Sequence, residues 1–349
     1  MAFAVGTADG FVDMLKKLRD YADGTLDPTG TMGDEADFSA GASVPTAQQW
    51  FVEKETIPES GNATDGEVYL RGPGGGSDEI FLNIKTYRDT GLFNWEIRGA
   101  LAFNGSDAFE GQLQTSDGVQ YALLNSSMDI WFFVNGRRII AVAQIGSNYS
   151  AMYGGFFNQY ATSAQYPYPM LVGGSVTGAT IPSTNSSYDH SCMPDPCDNG
   201  AQVRWVDGTW YEVRNYTSGG ASRSKVGSTG RAIWPYAAPD VPGATHSQGT
   251  HNLAETFYHL NIWGQTAGAS SPRLDSSFTG ERTVYPTSLQ FAGVAPDDTV
   301  VGELDGMFAV YAESGDTAES EITVGGDTYI TWPNTWRTEP FDWFSVKKE

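Results

Sequence analysis

From Trp50 almost to the C-terminus the chain runs as short apolar–polar alternations closed by glycine-bearing turns. That punctuation suits antiparallel hairpins and leaves little room for long helices. Residues 67–71 alternate and end at Gly72-Pro73-Gly74-Gly75-Gly76, and residues 80–87 and 93–103 follow as strands. Residues 131–134 and 137–144 flank Asn135-Gly136. This pair is a type I′ signature, because both central residues of such a turn need positive φ. Residues 201–206 and 209–213 repeat the arrangement around Asp207-Gly208. Residues 321–324 and 328–332 flank Gly325-Gly326-Asp327, and a last strand is expected within 336–346. There is no heptad and no fixed-period repeat.

One helix is predicted, over residues 8–22. Phe11, Leu15, Leu18 and Ala22 recur at helical spacing with Met14 beside them, and Lys16, Lys17, Arg19 and Asp20 lie largely away from that face. Gly24 is placed as its C-terminal stop. The stripe can dock on the body of the same chain or on a neighbouring subunit. Residues 24–43 are rich in Gly, Asp and Thr and read as a linker or extended arm.

Composition agrees with this pattern. Glycine is frequent, at 41 of 349 residues, aromatic residues make up 13% and charged residues only 18%. Such a profile fits many short strands joined by turns. The fold class expected is therefore mainly β: multi-hairpin sandwich- or barrel-like domains with a short N-terminal helix and an extended arm. Four regions are expected. They are 1–49 (helix and linker arm), 50–175 (first β domain), 176–275 (a Gly/Ser-rich β region with loops) and 276–349 (a C-terminal β region able to pack with 50–175).

The net charge of −22 works against binding nucleic acid or anionic lipid, because affinity for phosphate comes from a basic surface that releases counterions. The opening MAFAVGTADG has neither a basic n-region nor an apolar h-region, so no signal peptide is expected. No apolar run approaches the length of a membrane span.

A nucleophile elbow, a zinc-protease helix, a phosphate-binding P-loop and an EF-hand loop are all missing from the sequence. His190, Cys192 and Cys197 bring soft ligands together, with His246, His251 and His259 downstream. Cys-x4-Cys is a loose match to a zinc site, and Pro194 and Pro196 stiffen the loop, so a pair of free thiols or a short disulfide is the plainer reading. Asp195, Asp198 and Asn199 could hold calcium instead. Asp297-Asp298 is a carboxylate pair of the kind glycosidases use, but it follows Pro296 and reads as a turn. No metal, no cofactor and no catalytic residue is assigned, and the chain is not expected to be an enzyme.

Aromatic segments remain. Tyr166-Pro167-Tyr168-Pro169, Trp234-Pro235-Tyr236 and Trp332 with Trp336 suit either core and interface packing or stacking on sugars, with packing preferred. The candidate interface residues are Phe11, Leu15, Leu18, Tyr166, Tyr168, Trp234 and Tyr236.

Four stretches carry a resemblance. They are EVYLRGPG with DEIFLNIKTYRD and FNWEI (67–97); SSMDIWFFVNGRRIIAVAQIGSNYSAMYGGFFNQYATSAQYPYPMLVGGS (126–175); VRWVDGTWYEVRN with AIWPYA (203–215, 232–237); and VVGELDGMFAV with ITVGGDTYITWPNTWRT (300–310, 322–338). In this order they resemble the virion structural proteins of tailed bacteriophages, a tail- and baseplate-associated group. The resemblance implies a structural role without catalytic residues. The expected function is a baseplate or tail-tip scaffold linking the tail to fibres or receptor-binding proteins. The implied partners are the tail tube, the baseplate hub, fibres and copies of the chain itself in a trimeric or hexameric ring. It also implies location in the virion after assembly in the bacterial host cytoplasm, without nucleic-acid recognition or membrane insertion. The alternatives are a host-surface polysaccharide-binding protein or a head decoration protein.

Overall fold

The computed structural model describes residues 2–59, 61, 64–75, 78–89, 92–146, 148–174, 201–205, 208–212, 231–233, 283–291, 299–311, 317–333 and 343–348. The chain opens with β1 (Ala2–Asp9), helix α1 (Phe11–Asp23) and β2 (Phe38–Gly41). Next come β3 (Phe51–Glu55), β4 (Glu67–Gly75), β5 (Asp78–Asp89), β6 (Leu92–Ala100) and β7 (Val119–Leu123). The long apolar stretch forms β8 (Ser127–Asn135), β9 (Arg138–Ile145) and β10 (Asn148–Phe156). These lead to β11 (Asn158–Gln159), β12 (Met170–Gly173), β13 (Ala201–Arg204), β14 (Trp210–Glu212) and β15 (Arg231–Ile233). The C-terminal strands are β16 (Thr283–Phe291), β17 (Thr299–Tyr311), β18 (Glu321–Val324), β19 (Asp327–Pro333) and β20 (Trp343–Lys347). The protein is mainly β, as the turn punctuation predicts.

The strands form three antiparallel sheets. The central one has eight strands in the order β14-β13-β12-β10-β9-β8-β1-β2. A five-stranded meander, β3-β4-β5-β6-β7, covers one face, and the C-terminal sheet β15-β16-β17-β20-β19-β18, with β11 attached to β17, covers the other. Strands β8 and β9 show why both faces are covered. Ile130, Phe132, Val134, Ile139 and Ala141 enter the core shared with α1 and the meander. Their alternates Trp131, Phe133, Ile140 and Val142 enter the core shared with Leu304, Trp332 and Phe344 of the C-terminal sheet. Side chains alternate between faces along a strand, so a run apolar at nearly every position belongs to a sheet buried on both sides.

Two expectations at the N-terminus are corrected. The helix begins at Phe11, because Ala8 and Asp9 pair with Met128 and Ser127 in the central sheet and Gly10 turns at φ 94°. The segment before it is strand β1, which lies between β8 and β2. Residues 24–49 are also no free arm. Phe38–Gly41 adds β2 to that sheet, Leu26 and Val44 are buried, and the Trp50 backbone N–H donates to Ala22 O at 2.9 Å. Gly24 ends the helix in the left-handed region, φ 81°, as predicted.

The stripe of α1 packs on the chain's own body, where Phe11, Leu15 and Leu18 are fully buried. Two of its charges are buried with it. Lys17 donates to Thr7 O (3.0 Å) and pairs with Asp13 and Asp37 (2.7 Å each), and Arg19 pairs with Asp20 and Glu55. The sequence pattern placed both on the outer face, but their carboxylate partners come from the helix itself, residues 24–49 and β3.

Candidate binding cleft

The β8–β9 hairpin builds the site, and its turn differs from the one predicted. Asn135 pairs with Arg138, so the central residues are Gly136 and Arg137, and neither has positive φ. The turn is held instead by the Asn135 side chain, whose Oδ1 accepts from the backbone N–H groups of Arg137 (2.8 Å) and Arg138 (2.9 Å). Short polar side chains stabilise turns in this way without the left-handed region. The double-positive geometry occurs at the other glycine turn, where Gly325 and Gly326 have φ of 64° and 96° between β18 and β19.

The two arginines then part. Arg138, wholly buried, turns between the sheets and faces Asp305 of β17, Nε to Oδ2 at 3.2 Å. Asp305 also accepts from Asn135 Nδ2 at 3.0 Å, and its backbone N–H donates to the Tyr153 hydroxyl at 3.3 Å. Burial pushes the Tyr153 hydroxyl well above the ordinary phenol range, and the Asp305 charge adds to that shift. Farther along the seam, Tyr149 donates to Glu319 (2.8 Å) and Tyr160 to Glu303 (2.9 Å).

Arg137 faces outward into a cleft of about 520 Å³. The end of β10 forms one wall: Gly155, at φ 142°, lets the Phe156 N–H reach Arg137 O at 2.8 Å. Asn158 and Gln159 of β11 continue it, pinned to Glu303 and Gly302 of β17. The opposite wall is the loop before β12. Its turn closes with the N–H groups of Gln165 and Tyr166 on Thr162 O, both at 2.9 Å, and puts Thr162 and Ser163 at the rim. Asp78 of β5 stands at the same opening.

Tyr166 and Tyr168 line this cleft as parts of its frame. Tyr166 is 1% exposed, its ring edge-on to Phe157 and Trp205, its hydroxyl donating to Arg204 O at 2.8 Å. Tyr168 sits at φ 60°, unusual for a bulky residue, and donates to Ala100 O at 2.9 Å. Phe156 packs edge-on against its ring at 4.7 Å, and the Arg204 guanidinium lies 5.3 Å from the ring centre.

The interface expectation is therefore corrected for Phe11, Leu15, Leu18 and Tyr166, which lie inside the chain, and Tyr168 is half-buried. Trp234 and Tyr236 lie outside the described residues, as do His190, Cys192, Cys197, the three downstream histidines, the calcium candidates and Asp297-Asp298. Among the described residues no group of three or more His, Cys, Asp or Glu is placed to hold a metal ion.

Sequence reasoning passed over Arg137, Asn158, Thr162 and Ser163, none of which belongs to a motif. One signal was available: Arg137-Arg138 puts two guanidinium groups at a hairpin turn in a chain with only 20 basic residues. No family model matches the chain, and no curated protein sequence matches it.

Proposed function

We propose that the chain is a structural component of a tailed bacteriophage particle, a baseplate or tail-tip scaffold that joins the tail to fibres or receptor-binding proteins. The observation that carries the reading is the two-sided central sheet. Strands β8, β9 and β10 contribute to both cores, and Arg138–Asp305 ties the sheets together across the inner seam. Such a slab resists bending, because close-packed interiors are poorly compressible. Lys17 and Arg19, buried with the helix, also pair internally, with Asp13 and Asp37 and with Asp20 and Glu55. The resemblance of the four sequence stretches supplies the particle type. Cryo-electron microscopy of intact particles tests the assignment: three or six copies at the tail end are expected, and copies confined to the head would overturn it.

A second reading is host-surface polysaccharide binding. The cleft beside Arg137, with its aromatic frame and polar rim, is what favours it.

A further inference from the structure

We infer that the cleft beside Arg137 is a binding site for an acidic sugar, with the guanidinium taking the sugar's carboxylate. This deepens the second reading and leaves the scaffold assignment untouched.

The chain carries 42 acidic against 20 basic residues, so a cation lacking a carboxylate partner is out of place in it. Arg19, Arg71, Arg88, Arg98 and Arg138 each form an ion pair. Arg137 forms none among the described residues. Its Nη1 reaches Asn158 Oδ1 at 3.4 Å and Nη2 reaches Phe157 O at 3.3 Å, both near the limit of a hydrogen bond. Its Nε is buried and finds no acceptor among the described residues. A guanidinium is a planar fork of donors matched to a carboxylate, and a half-buried one left this loosely engaged is prepared for such a ligand.

The rest of the cleft narrows the ligand. Its volume falls within the usual range for small-molecule sites, about 300–1,000 Å³. Phe156 and Pro169 supply apolar wall, while Asn158, Thr162 and Ser163 supply the amide and hydroxyl groups that sugar hydroxyls exchange hydrogen bonds with. Asp78 adds an acceptor for hydroxyls and repels a second carboxylate, which disfavours a simple dicarboxylate. A peptide strand could not add to β10, because that strand is already paired with β9 on one side and β12 on the other. The net charge of −22 does not forbid an acidic ligand, since at physiological salt charges beyond about 8 Å are largely screened.

Calorimetric titration of the full chain tests this, with a short oligoglucuronate, its methyl ester and a neutral glucose oligomer as probes. The acid should bind, the ester and the neutral oligomer should bind at least about tenfold more weakly, and added salt should weaken the acid alone. Arg137→Gln should lower affinity for the acid by about tenfold or more. Should that variant fold poorly by circular dichroism, Ser163→Trp at the exposed rim fills the mouth without disturbing either core and should abolish binding. Equal binding of acid and ester would overturn the assignment. So would no binding of the acid, unchanged binding in Ser163→Trp, or tighter binding of a peptide with a free terminal carboxylate.

Discussion

Arg138 and Asp305 stand 3.2 Å apart (Nε to Oδ2), the arginine wholly buried on the central sheet and the aspartate on the C-terminal sheet. Trp332 packs against Phe133 and Phe344 in the core between the same sheets. A buried charge that loses its partner must be held without solvation, and that loss exceeds what the intact pair contributes. Asp305→Asn should therefore destabilise the protein by about 3 kcal/mol. Arg138→Met combined with Asp305→Leu should cost markedly less than either change alone. Urea unfolding of Asp305→Asn, the two single changes and the double variant checks this, and strict additivity would show that the pair does not couple the sheets.

Gly155 is the second point at which the seam and the cleft depend on one residue. At φ 142°, a Cβ there would stand 2.3 Å from Arg137 O, the atom that accepts the Phe156 N–H. Gly155→Ala should destabilise by roughly 1–3 kcal/mol through backbone strain, and more if the hairpin shifts. Thermal unfolding measures the loss. Gly146→Ala provides a comparison: it too has positive φ, but nothing lies within 4 Å of its Cβ, so it should cost less.

Stability should be limited on the alkaline side. Burial raises the hydroxyls of Tyr21, Tyr121 and Tyr153 above the ordinary phenol value. A group whose pKa is higher in the folded state stabilises below its unfolded value, and that contribution is lost as pH rises toward the folded one. Lys17 acts with the same sign: burial opposes its charge, but the hydrogen bonds it donates to Asp13 and Asp37 outweigh burial and raise its pKa. The decline should begin near pH ~10, where free tyrosine and lysine titrate. Ultraviolet absorbance should show these tyrosines ionising together with unfolding; gradual ionisation in a still-folded protein would refute the assignment.

Much of this fold is legible in the sequence, for identifiable reasons. The hairpin of β8 and β9 reads directly from its apolar run, and the β18–β19 turn from Gly325-Gly326. Strand β1 does not read, because its inward residues Ala2, Ala4 and Ala8 are small and its identity comes from the slot between β8 and β2. Lys17 and Arg19 follow a surface pattern and are buried only because partners distant in sequence meet them. At the cleft, Tyr166 and Tyr168 announce themselves as aromatics, but as frame rather than contact surface. Arg137 is hidden as a turn residue, and only its contacts with Asn158 and the Phe157 carbonyl at the cleft reveal its position.

The proposal that the chain is built into a tailed-phage particle is tested most directly by quantitative mass spectrometry of gradient-purified particles from a phage lysate in which the chain is produced. Peptides of this chain should appear in the particle fraction, at a copy number that is a multiple of three relative to the tail. Recovery only from the soluble lysate, with none in purified particles, would contradict it.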